Sequence, residues 1–143
     1  MSAFAIASLV VAWGLTAFLA FSFFRAGMFK LTAPISKLLE AGFGWVSKIP
    51  AALVRVIALL ELAGVVGIVV GAAVYEISGG EQVWAQFVAI AAAIGLALTM
   101  IVASIVHQVR GESKYTFKMT STLLVASVAL AVALSLVQFS GKI

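Results

Sequence analysis

Long apolar stretches, broken by short polar ones, dominate this chain. Ala3 to Phe24 carries no charge, and Val56 to Tyr75 is apolar or small except for Glu61. Val83 to Val106 and Met119 to Phe139 complete the pattern. A helix needs about 20 apolar residues to cross the hydrocarbon core of a bilayer. The pattern predicts an all-α integral membrane four-helix bundle with spans near 3–24, 52–75, 83–106 and 119–139. Pro50 suits the first turn of the second span, and Gly27, Gly79-Gly80 and Gly111 punctuate helix ends. No polar stretch is long enough for a separate soluble domain, so residues 1–143 read as one membrane domain.

Composition agrees: 64% of the 143 residues are hydrophobic, 10% are charged, and mean hydropathy is +1.24. Soluble domains carry about 25% charged residues. The N-terminus lacks the basic region and small-residue cleavage site of a secretory signal. The chain has no Cys, which excludes disulfides, thiolate chemistry and Cys-ligated iron–sulfur clusters within it. One His cannot supply paired haem ligands, and no second imidazole exists to complete a metal site. No haem, copper or other metal is expected, and no catalytic residue emerges.

The cations set an expected topology. Arg25, Lys30, Lys37, Lys48 and Arg55 lie between the first two spans, and Arg110, Lys114 and Lys118 between the last two. Only Lys142 lies on the other side. Such a bias places both basic loops in the cytoplasm and both termini outside, as in a bacterial inner membrane. The net charge of +4 is then a topological signal rather than a nucleic-acid footprint. The basic face would also suit anionic lipid headgroups.

The first basic loop has a pattern of its own. Ile35, Leu38 and Leu39 recur at helical spacing, and Phe43, Trp45 and Val46 continue the apolar side. A short interfacial helix over about 34–47 is expected, with a lid over a cavity as the alternative.

Helix faces in lipid pack through small residues. Gly64, Gly67 and Gly71 mark the packing face of the second span, and Ala89, Ala93 and Ala97 that of the third. The latter stripe continues through Met100 and Ser104 to His107. Ser127, Ala131 and Ser135, with Thr120, form a small polar stripe in the fourth. Glu61 shares a face with Gly64 and Gly71, and so points into the bundle. An acid at membrane depth costs roughly 2.5 to 3.5 kcal/mol on insertion scales, so it needs a cation partner or serves a site. Arg55 is six residues away and off its face; Arg25, Lys30 and His107 are the candidate partners. Depth gathers Arg25, Lys30, Glu61 and His107 at the basic end, as ligand anchors or as a register-fixing ion pair. A ligand site would show as a cavity bounded by the first three spans, with Gly64 and Met100 as apolar walls. Phe21, Phe23 and Phe24 would hold that half apart, while small residues close the other.

Three segments carry a family resemblance: FFRAGMFKL, VRVIALLELAGVVGIVVG and MIVASIVHQVRGE, followed by a final apolar helix. In this order they resemble the DoxX-like family of small bacterial membrane proteins. The resemblance implies a four-helix bundle with motif positions at Arg25, Gly27, Lys30, Glu61, Gly64 and His107. It also implies an accessory role, since relatives are described as membrane subunits of thiosulfate:quinone oxidoreductase or as partners in redox-stress complexes. It supplies no catalytic residue.

Three functions compete. The first is an accessory subunit that binds a quinone, lipid or other small apolar molecule at the polar cluster. The second is a small proton-coupled transporter using Glu61, and the third a structural assembly subunit. No residue set provides an electron carrier, so redox catalysis by this chain alone is not expected. The expected partners are the lipid bilayer and other membrane or membrane-associated proteins, with a homo-oligomer as a further candidate.

Overall fold

The computed structural model describes residues 2–140; Lys142, the lone tail cation, lies outside the described residues. The chain forms α1 (Ala3–Thr32), α2 (Ile35–Glu40), a 3-10 turn (Gly44–Lys48), α3 (Ala51–Ile77), α4 (Val83–Val109) and α5 (Ser113–Ser140). Four of these helices, α1, α3, α4 and α5, are long and apolar enough to cross a membrane. At 27 residues, α3 and α4 each reach about 40 Å.

Local chemistry sets the helix ends. The Ser2 hydroxyl accepts from the Ala5 amide at 3.1 Å, an N-cap that satisfies one free donor of α1. Pro34 stops α1: the residue before a proline is pushed out of helical geometry, and Ala33 has φ −72° and ψ 145°. Pro50 precedes α3 rather than forming its first turn, and Ala51 is the first helical residue. Gly111 ends α4 at φ +71°, a conformation in which a β-carbon would be strained. There the Glu112 amide donates to the His107 carbonyl at 2.8 Å, the closing bond of a Schellman turn.

The four long helices form a ring in which α1 borders α3 and α5, and α4 borders the same two. The core runs along this ring through Ala12, Leu19, Phe23, Ile68, Leu96 and Leu130. Buried positions on α1 fall at Ala12, Thr16, Leu19, Phe23, Gly27 and Lys30, the three-and-four spacing of one helix face. Bulky residues off that face, such as Phe21 and Phe24, are exposed, as lipid-facing positions should be.

Small residues close the half of the bundle remote from the basic loops. A β-carbon at Gly67 would lie 2.5 Å from the Ala92 β-carbon, and one at Gly71 would lie 2.6 Å from the Ala85 carbonyl oxygen. The glycines therefore seat α3 directly on α4, the close approach that membrane bundles use in place of a hydrophobic drive. Ala93 and Ala97 are buried in the same stripe of α4. The hydroxyls of this region do not form a polar path. Thr16 donates to the Ala12 carbonyl, Ser127 to Leu123 and Ser135 to Ala131, each within its own helix. Gln86 is the exception, and donates across from α4 to the Leu134 carbonyl of α5 at 2.8 Å.

Between α1 and α3 the chain folds back on itself. Leu38 and Val46 are buried with Val54 of α3, and Phe29, Phe43, Trp45 and Ile49 pack around them. The segment thus has its own apolar cluster, with Phe29 and Phe43 ring centroids 6.0 Å apart.

Candidate functional site

Lys30 and Glu61 lie at the basic end, each on the inner face of its helix. The Lys30 ammonium contacts Glu61 Oε1 at 2.5 Å, and both side chains are buried. Gly27 explains the reach. A β-carbon there would press on Leu62 of α3 at 3.0 Å, so glycine lets α1 approach α3 one turn before Lys30. Arg55 adds a second tether, donating from Nη1 to the main-chain carbonyl of Lys30. That carbonyl belongs to the last turn of α1, where carbonyls lack helical partners and a cation is favoured. Lys30 is thus held through its side chain and its backbone by the same neighbouring helix.

The other candidates are placed differently. Arg25 is not the ion-pair partner of Glu61: it is exposed, with its guanidinium 5.5 Å from the centroid of the Phe21 ring, and it lines a cavity at this end of the bundle from the rim. Five residues separate it from Lys30, a turn of about 500°, so the two cannot share a face. His107 is buried but pairs with Glu112, its Nδ1 3.0 Å from Oε2. Glu112 also accepts from Arg110 Nε at 2.8 Å. Both donors hold the Glu112 carboxyl below its ordinary range, the His107 contact contributing most. Neither Arg55 nor Glu112 was expected in the site. The signal for Glu112 was Gly111, whose left-handed turn carries residue 112 back over residue 107.

This turn also meets the folded-back segment. A β-carbon at Gly44 would lie 2.9 Å from Arg110 Nη2 and 3.0 Å from Glu112 Oε1. The two basic loops are therefore in contact at the same end of the bundle.

Above these polar groups is a cavity of about 1060 Å³. Lys30, Glu61 and His107 line it, with Arg25 at the rim, among mostly apolar residues that include Phe23, Phe29, Ile57 and Met100. The short helix expected between the first two spans is present as α2, and Phe43 and Trp45 from the same folded-back segment form part of the cavity wall. Three expectations need correction. The cavity is bounded by α5 too, through Lys118, Met119, Thr120 and Leu123. Gly64 is not one of its walls, because it packs against Leu96. Of the three phenylalanines, only Phe23 is buried between the helices. Phe21, Leu60, Leu98 and Met119 on the rim are all more than half exposed, so the cavity opens sideways toward lipid.

A family model described as the DoxX-like family matches residues 14–132, which is most of the chain and contains every polar group of the site. The chain belongs to the DoxX-like family. It is a multi-pass membrane protein with four spans. No curated protein and no solved structure matches it.

Proposed function

We propose that this DoxX-like protein is a membrane-embedded binding subunit, holding a small apolar molecule with one polar end in the cavity at its basic end. A quinone or a lipid is the fitting class. The observation that carries this reading is the convergence of Lys30, Glu61 and His107 on an otherwise apolar cavity of about 1060 Å³. Ligand pockets usually measure about 300–1,000 Å³ and combine apolar walls with a few polar anchors. The sideways opening gives a bilayer-dissolved molecule a route in. The chain's own residues offer no electron carrier, with no Cys and one His, so any redox chemistry would belong to a partner protein.

Transport is less well supported. A path past Glu61 would have to cross the tight Gly67–Ala92 and Gly71–Ala85 contacts. A purely structural subunit would need no cavity beside its ion pair.

The test is extraction and mass spectrometry of molecules retained by protein purified in mild detergent. Ala103 lines the cavity from α4, and Ala103→Phe would fill part of it. The wild type should retain a stoichiometric apolar molecule that Ala103→Phe loses. Identical retention by both proteins would overturn the binding reading.

A further inference from the structure

Glu61 has one oxygen to spare. Oε1 takes the Lys30 ammonium, while Oε2 is buried with no hydrogen-bond partner among the described residues. Buried polar atoms are nearly always satisfied, so an orphan oxygen beside a cavity calls for an explanation. An ion-paired carboxylate only accepts, and its completion must come from a donor.

The hydroxyls lining the cavity cannot provide one. Ser22, Thr99, Thr120 and Thr122 each donate to the carbonyl four residues back in their own helix. Lys30 is already bound through Oε1, the Arg25 guanidinium lies over Phe21, and His107 is paired through Nδ1 with Glu112; none of the three bonds to Oε2. Glu61 lines the cavity, and the terminal torsion of a glutamate is soft, so its carboxylate can turn Oε2 toward an occupant.

From this we infer that the occupant of the cavity carries an alcohol or phenol O–H at its polar end, donated to Glu61 Oε2. The inference rests on the binding reading above and narrows it. A hydroxyl suits the pair on both counts: its proton goes to Glu61, and its oxygen accepts from Lys30, which has further N–H donors. A ketone or ether oxygen can take the Lys30 donor but leaves Oε2 unsatisfied. Within the quinone class the site therefore selects the hydroquinone over the quinone. Within lipids it selects a free hydroxyl over an ether.

The probes are 4-nonylphenol and 4-nonylanisole, which differ only in that the second has a methyl in place of the hydroxyl proton. Protein in nanodiscs receives both in equal amount, and native mass spectrometry reads the ratio bound. The wild type should favour the phenol at least tenfold. Glu61→Gln turns an amide donor toward the cavity once its oxygen takes Lys30, so the preference should vanish or reverse. If that variant does not fold, Lys30→Met with Glu61→Gln removes both charges together and should likewise show no preference. Equal binding of the two probes by the wild type would overturn the hydroxyl inference while leaving the cavity reading intact. A phenol preference that survives in the variants would also overturn it, since the acceptor would then lie elsewhere. Binding of neither probe, to a wild type whose cavity is shown empty by extraction, would count against the cavity reading itself.

Discussion

Lys30 and Glu61 meet at 2.5 Å across α1 and α3, each buried, while Arg25 sits one and a half turns away on the exposed face of α1. A charge in this position is tolerable only with its partner, because removing one member strands the other. Removing one partner of a buried pair typically costs about 3 to 5 kcal/mol, whereas removing both costs much less. Lys30→Met and Glu61→Gln should each lower resistance to unfolding in detergent by about that amount, and the double variant should recover a large part. Arg25→Gln should change it by less than about 0.5 kcal/mol, as exposed positions do. A large Arg25 effect, or strict additivity of the Lys30 and Glu61 changes, would contradict the pairing.

The closed half of the bundle makes a prediction through its glycines. At Gly71 a methyl would strike the Ala85 carbonyl oxygen and the Ala89 amide nitrogen, at 2.6 and 2.9 Å. These are backbone atoms and cannot step aside. Gly71→Ala should destabilise by about 1–3 kcal/mol, the usual penalty for overpacking. Gly95 also lies in a membrane helix, but a β-carbon there would meet nothing within 4 Å. Gly95→Ala should be neutral or up to about 1 kcal/mol stabilising, because alanine is the better helix former. Equal losses at the two positions in a thermal unfolding assay would argue against the α3–α4 contact.

The fold was legible because lipid imposes a simple demand, and long apolar runs meet it. The site was only half legible. The apolar run of the first span ends at Phe24, and that boundary alone left Arg25, Lys30 and His107 all open as partners of Glu61. Yet the helix continues to Thr32, and its buried series runs Leu19, Phe23, Gly27, Lys30. Following that spacing past the apolar run leads to Lys30 and bypasses Arg25. Glu112 was hidden for another reason, since its place depends on a left-handed turn at Gly111. The part played by Phe43 and Trp45 in the cavity depends on how a whole loop folds back, which periodicity within that loop does not reveal.

Glu112 gives a pH dependence. Its carboxyl titrates below the ordinary value of 4.5 in the folded protein, held down by His107 and Arg110. A depressed pKa means the carboxylate contributes stability above the unfolded value and loses it as pH falls through the folded one. Glu112→Gln should therefore cost stability at about pH 7. The gap between wild type and variant should stay constant down to about pH 5 and close below about 4.5. Melting temperatures of the two proteins across this range provide the check, and a gap that widens toward acid would reverse the assignment.

Orientation can be tested independently of the site. Eight of the nine Lys and Arg residues fall in the two loops at one end of the bundle or at the helix ends beside them. By the positive-inside bias that end should face the cytoplasm. Glu81 is exposed in the opposite loop between α3 and α4, and Lys37 is exposed on α2 in the first basic loop. The chain has no native Cys to confuse labelling. In intact cells Glu81→Cys should react with a membrane-impermeant thiol reagent, and Lys37→Cys should react only after lysis. The consequence reaches beyond topology. Lys30, Glu61 and the cavity lie at the Lys37 end, so the labelling pattern decides which leaflet delivers the ligand. The reverse pattern would make the outer leaflet the source and would require the charge bias to be overridden by some other determinant of insertion.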